Sequence, residues 1–121
     1  RNLLEGIARM GAKPRVLVSA SAVGIYGSRA EERLTEHSAP GRGFLEDLCV
    51  EWEAEADKAA QLGIRVVKIR IGIVLGRNGG ALEQMLPPFR LGVGGPLASG
   101  RQWMSWIHLN DLVRMMIFAL E

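Results

Sequence analysis

The sequence predicts an α/β fold, a parallel sheet whose strands are joined and covered by helices. Three observations carry that expectation. Short apolar or β-branched runs at residues 15–19 and 64–74 read as strands buried on both faces. Segments with apolar residues at helical spacing precede, separate and follow them, the order that gives parallel strands with right-handed crossovers. Finally, two long strands are too few. A parallel sheet buries both faces and needs several neighbours, so the pattern predicts a sheet from which strands are missing.

Each element follows from local chemistry. Leu3, Leu4, Ile7, Ala8 and Met10 recur at helical spacing. Gly11 stops that helix and Pro14 blocks its continuation. Residues 15–19, RVLVS, give the first strand, and residues 20–27 are small and turn-rich. Residues 29–40 are polar and end on the breakers Pro40 and Gly41, which predicts a surface loop. Residues 44–62 form the clearest helix. Leu45, Leu48, Cys49, Trp52, Ala56, Ala59 and Ala60 line one face; Glu46, Glu51, Glu53, Glu55 and Lys58 lie mainly on the other. Gly63 suits its C-terminal cap. After the second strand, a loop at 76–80 leads to a helix at 81–91, which Pro87 and Pro88 are expected to kink or split. A glycine-rich loop at 92–100 precedes a short strand at 103–108. Asn110 is a good N-cap for a last helix carrying Leu112, Val113, Met116, Ile117 and Leu120 on one face.

Composition narrows the function classes. The chain has 121 residues, enough for one domain, with 48% hydrophobic and 23% charged residues, a globular balance. Net charge is +2, and Lys and Arg are interleaved with acids, so no basic stripe marks a nucleic-acid partner. No apolar run approaches the ~20 residues that span a bilayer, so no membrane partner is expected. The single cysteine, Cys49, excludes a disulfide framework and a cysteine metal cluster, and it fits a reduced, cytoplasmic compartment. Arg1 rather than Met begins the chain and no charged-then-apolar leader follows, as expected of a processed start or of a fragment.

Ligands of doubly wound sheets lie outside the carboxyl ends of the strands. The segment VLVSASAVGIYG, residues 16–27, sets Ser19 and Ser21 there. Small side chains at that point admit a ring or a phosphate, and they equally suit an ordinary strand-to-loop turn. Arg70 is read first as an ion pair within the fold and second as a phosphate ligand, with Lys68 on the same side of the strand. His108 and Asp111 are too few for a metal site, so no metal is expected. Asp111 instead favours the positive end of a helix dipole, and His108 packs at the strand end. His37 lies in a polar, solvated loop. Cys49, on an apolar helical face beside Trp52, reads as an inert core thiol. Arg77, Asn78, Gly79 and Gly80 precede a helix and could offer N–H groups to an anion, but they lack the phosphate-loop lysine and spacing and read as a plain loop.

The run SASAVGIYG, followed in order by IRIGIVLG at 69–76 and WIHLNDLV at 106–113, resembles the extended short-chain dehydrogenase/reductase superfamily. The segments FLEDLCVEWE and GGPLASGRQWMSWIH resemble its branch of nucleoside-diphosphate-sugar epimerase family proteins. The resemblance implies the C-terminal portion of a Rossmann-type domain over residues 1–121. The first βαβ half and its cofactor-gripping glycine motif lie outside the chain, and residues 77–104 give part of a small substrate lobe. It implies NAD(P) as cofactor, without choosing between NAD and NADP, and a nucleotide-sugar-type or similar small substrate. Ser21 stands at the position of the catalytic serine. Ala20, Ile71 and Gly72 would line the nicotinamide end. Arg101 would meet a substrate phosphate and Trp103 would supply a stacking face, unless that loop simply lets Trp103 and Trp106 cover the core. One departure stands out: the Tyr-x-x-x-Lys pair of this superfamily is absent. Phe44 and Leu45 stand where the tyrosine belongs, Leu48 and Cys49 where the lysine belongs, and the only tyrosine, Tyr26, has Ala30 four residues on. Neither a phenyl nor an alkyl group transfers a proton. The alternative is therefore a non-catalytic, dinucleotide-binding or protein-interaction module. A sheet missing strands also predicts self-association or docking of the missing half.

Overall fold

A computed structural model describes residues 2–77, 79–96 and 98–121. Helices and parallel strands alternate as expected: α1 (Asn2–Ala8), β1 (Val16–Ala22), α2 (Phe44–Asp57), β2 (Arg65–Ile71), β3 (Ile73–Leu75), α3 (Gly80–Arg90), β4 (Trp106–His108) and α4 (Leu109–Leu120). A 3₁₀ turn, Val23–Tyr26, follows β1, and a second, Lys58–Leu62, extends α2. β1 pairs in parallel with β2, Val16 opposite Arg65 and Ser21 opposite Arg70. β3 pairs in parallel with β4, Val74 opposite Ile107.

Period-two alternation sends neighbouring strand residues to opposite layers. Leu17 and Val66 meet Ile7, Ala59 and Ile64 beneath α1 and the turn after α2. Val18, Val67, Ile69 and Ile71 meet Leu112, Met116 and Ala119 of α4 on the other face. Both faces of the strand pair are therefore helix-covered, the reason its sequence reads as continuous β-branched runs. Gly63 ends the α2 extension with φ of 77°, a left-handed cap.

Several elements depart from the sequence expectation. The predicted strand 64–74 breaks at Gly72 into β2 and β3. A Cβ at Gly72 would lie 2.5 Å from the Ser105 carbonyl, and the Ile73 N–H donates to that carbonyl at 2.8 Å. The chain thus changes partners there, which only glycine permits. Helix α3 continues through Pro87 and Pro88 rather than splitting. Each proline forfeits one N–H of the helical ladder, yet the helix runs on for two residues beyond them and Leu91 donates to the Pro87 carbonyl. The N-cap of α4 is His108, not Asn110: its Nδ1 accepts from the Asn110 N–H at 3.2 Å. His108 is exposed instead of packed, while Asp111 lies in the first turn as the dipole favours. On α2, Leu45 and Trp52 are 63% and 54% exposed, whereas Glu53 is buried. Trp103 and Trp106, 80% and 59% exposed, do not cover the core. Among the described residues no helix is long and apolar enough to cross a membrane.

Candidate functional site

The carboxyl ends of β1 and β2 lie side by side, and their register brings Ser21 against Arg70. Both side chains turn towards α2, where residues 49, 53 and 56 recur at helical spacing and face inward. Glu53 is the polar member of that face. Its Oε1 accepts the Ser21 hydroxyl at 2.7 Å and Arg70 Nε at 2.8 Å, and its Oε2 accepts Arg70 Nη2 at 2.8 Å. This is a two-pronged guanidinium–carboxylate pair, the strongest geometry available to such groups. Arg70 Nη1 donates onward to Tyr26 Oη at 2.6 Å, and the guanidinium carbon sits 5.1 Å from the centre of the Tyr26 ring. Tyr26 Oη in turn donates to the Thr35 carbonyl at 2.9 Å.

The electrostatics follow from that geometry. Hydrogen bonds from Arg70, opposed by burial and aided by Ser21, hold the Glu53 carboxyl at about 2, below its ordinary 4.5. The same contact with Glu53 drives the Arg70 guanidinium further up. Lys68 lies on the same side as Arg70, 2.8 Å from Asp57 Oδ2 and 3.8 Å from Glu53 Oε2. Arg70 thus makes the ion pair within the fold that its position suggested.

Next to this network lies an open cleft of about 1120 Å³. Ile71, Gly72, Arg101 and Trp103 all line it, so two segments far apart in sequence share one site. Val23 and Tyr26 form its floor, and residues 27–34 form the facing wall, bringing in Arg29 and Arg33 with Glu31 and Glu32. Arg29 Nη2 is held by the Ala39 carbonyl at 3.1 Å, with its Nε 3.6 Å from Glu32.

Two predicted site residues stand apart from the cleft lining. Ser21 is buried, and its proton is given to Glu53. Ala20 is exposed on β1, on the opposite side of the strand from Ser21. At the start of α2, Phe44 and Leu45 are 80% and 63% exposed, and Cys49 is buried against Ile25 and Tyr26, as expected of an inert thiol. Among the described residues no cluster of three or more His, Cys, Asp or Glu could hold a metal ion. Asn78 and Leu97, within the two predicted loops, lie outside the described residues.

Sequence reasoning missed Glu53 and the facing wall. A signal for Glu53 existed: it is four residues after Cys49 and three before Ala56, on the inward face. Two cations on one side of β2 also require an acid opposite them.

The family model described as the NAD dependent epimerase/dehydratase family matches residues 1–121. The chain is 51% identical over 109 residues to the Epimerase family protein SDR39U1 homolog, chloroplastic, of Arabidopsis thaliana, covering 90% of this chain and 31% of that protein. The crystal structure of human epimerase family protein SDR39U1 (isoform2) with NADPH superposes with a TM-score of 0.87 at 39% identity, over 98% of this chain and 40% of that one. The nucleoside-diphosphate sugar epimerase from Corynebacterium glutamicum gives 0.83 at 39% identity, over 98% and 25%. The chain spans about a third of the length of the curated relatives it matches.

Proposed function

For this chain, which belongs to the NAD-dependent epimerase/dehydratase family of Rossmann-type α/β proteins, we propose that it supplies part of an NAD(P)-binding, epimerase- or reductase-like site. One observation carries the reading: Ile71, Gly72, Arg101 and Trp103 line a single cleft at the carboxyl ends of parallel strands, where such folds bind ligands.

The residues present fit one end of a dinucleotide. The Ile71–Gly72 backbone and Val23 offer a narrow apolar surface for a ring, and Arg29, Arg33 and Arg101 balance anionic groups on the substrate side. Gly76, Gly79 and Gly80 follow β3 and lead into α3, but they lack the G-x-G-x-x-G spacing that grips a pyrophosphate. In this reading that grip comes from elsewhere in the intact protein. When bound, the cofactor supplies hydride transfer. Arg101 orients a phosphate-bearing, nucleotide-sugar-type substrate, Trp103 stacks on it, and residues 77–104 belong to the substrate lobe. Ser21, buried and donating to Glu53, has only lone pairs to offer, so in this reading a substrate hydroxyl reaches past the cleft lining to donate to it. The pairing with NADPH in a relative's crystal structure supports the cofactor class.

A second reading has its own observation. Phe44, Leu45 and Leu48 stand in the first turns of α2, and the Ser21 proton is already committed. Both favour a site that binds a dinucleotide without turning over a sugar nucleotide. Titration of the intact protein with NADPH and NADH, then addition of sugar nucleotides, separates the two. Turnover that vanishes in Ser21→Ala supports the enzyme. Binding without turnover supports the binding module. An intact protein that binds neither cofactor overturns both.

A further inference from the structure

The Ser21–Glu53–Arg70–Tyr26 network ends on the backbone of the loop between the 3₁₀ turn and α2. Arg70 Nη1 donates to the Glu36 carbonyl at 3.0 Å, and Tyr26 Oη donates to the Thr35 carbonyl at 2.9 Å. Two consecutive carbonyls of one loop are therefore tied to a single ion pair. The same loop, at residues 27–34, is the facing wall of the cleft. It is rich in charged residues, and Leu34 is its apolar attachment to the core, on the Ile25–Tyr26–Cys49 cluster. A segment with so little buried apolar surface takes its position from polar tethers.

The tether has a chemical logic that only arginine meets. Nε and Nη2 are used bidentately on Glu53, which orients the guanidinium plane and leaves Nη1 with two N–H groups, one for Tyr26 and one for the loop. A lysine ammonium has no such fixed fork. Glu53 does not touch the loop; it acts through Arg70.

We propose that Arg70 is the positioning residue of the cleft: clamped by Glu53, it fixes the loop through the Thr35 and Glu36 carbonyls and so sets the wall that a ligand meets. The inference rests on reading the cleft as a ligand site. Its test is amide hydrogen exchange on the intact protein, comparing wild type with Arg70→Lys, Glu53→Gln and Tyr26→Phe. The Glu32, Ser38 and Gly41 amides, hydrogen-bonded to the Arg29, Thr35 and Ile25 carbonyls, report on the loop. Exchange at these three amides rises about tenfold in Arg70→Lys and in Glu53→Gln, and a few-fold in Tyr26→Phe, the change expected from losing one to three hydrogen bonds. The β1–β2 amides of the isosteric Tyr26→Phe protein keep wild-type rates. In parallel, NADPH titration gives a several-fold higher Kd in each variant. A wild-type protein that ignores NADPH would sink the proposed function, while the exchange data still decide the role of Arg70. Loop amides unchanged in Tyr26→Phe and Glu53→Gln, or β1 and β2 rates raised as much as the loop's in Tyr26→Phe, overturn the proposal.

Discussion

Replacing Glu53 by Gln removes one charge and keeps the side-chain shape, so it isolates what the buried ion pair contributes. The Glu53 side chain is 8% exposed and that of Arg70 22%, so solvent screens the pair weakly. The carboxyl lies at about 2 in the fold, held there first by Arg70, against an ordinary 4.5. At about 1.36 kcal/mol per pH unit of difference, that gap is worth about 3 kcal/mol to the folded state. The folded value is the lower one. The contribution is therefore complete above pH 4.5 and is lost as pH falls towards about 2. Glu53→Gln also leaves a partly buried guanidinium facing an amide, a loss of the same order as breaking other buried pairs. Urea unfolding of the intact protein at neutral pH should show the variant less stable by about 3 kcal/mol. Repeated between pH 5 and pH 2, it should show a steep acid limb in wild type and a shallow one in the variant. Equal stability at neutral pH, or parallel acid limbs, would refute the assignment of Glu53 as a charged keystone.

Gly72→Ala should cost about 1–3 kcal/mol in the same assay, because a methyl group 2.5 Å from the Ser105 carbonyl must push apart the junction of β3 and β4; an unchanged midpoint would show that the approach relaxes freely. Arg101→Ala and Trp103→Ala, both at exposed positions, should change stability by no more than about 0.5 kcal/mol while weakening sugar-nucleotide binding, read by calorimetry; a large stability loss instead would return Trp103 to a core-covering role. Cys49, buried on the inner face of α2, should react with a thiol reagent only after denaturant is added, and rapid labelling of the native protein would contradict its packing. The isolated 121-residue chain exposes Trp106, Ile117 and Phe118 by 59%, 54% and 77% and should self-associate in sizing experiments; a monomer that melts cooperatively would overturn that expectation.

The sequence by itself determined what depends on neighbours along the chain. β-Branched runs separated by amphipathic segments specified parallel strands with helices between them, and period two put Lys68 and Arg70 on one side. Gly63 marked the end of the α2 extension because left-handed backbone needs no partner to be disfavoured for other residues. Motif order singled out Ile71, Gly72, Arg101 and Trp103, and the fold brings all four to the lining of one cleft.

What only the tertiary structure decided are the contacts between distant segments. Hydropathy put Glu53 on the solvent face and Trp52 on the core face. Packing reversed both, because the inward face of α2 meets the two cations of β2, whose charge the buried Glu53 carboxylate neutralises. The break at Gly72 and the capping of α4 by His108 likewise depend on where Ser105 and Asn110 arrive in space. The destination of the Ser21 proton was invisible for the same reason: its acceptor lies 32 residues away, on another element. A propensity describes one residue and its near neighbours, whereas a buried hydrogen bond requires two groups that only the fold brings together.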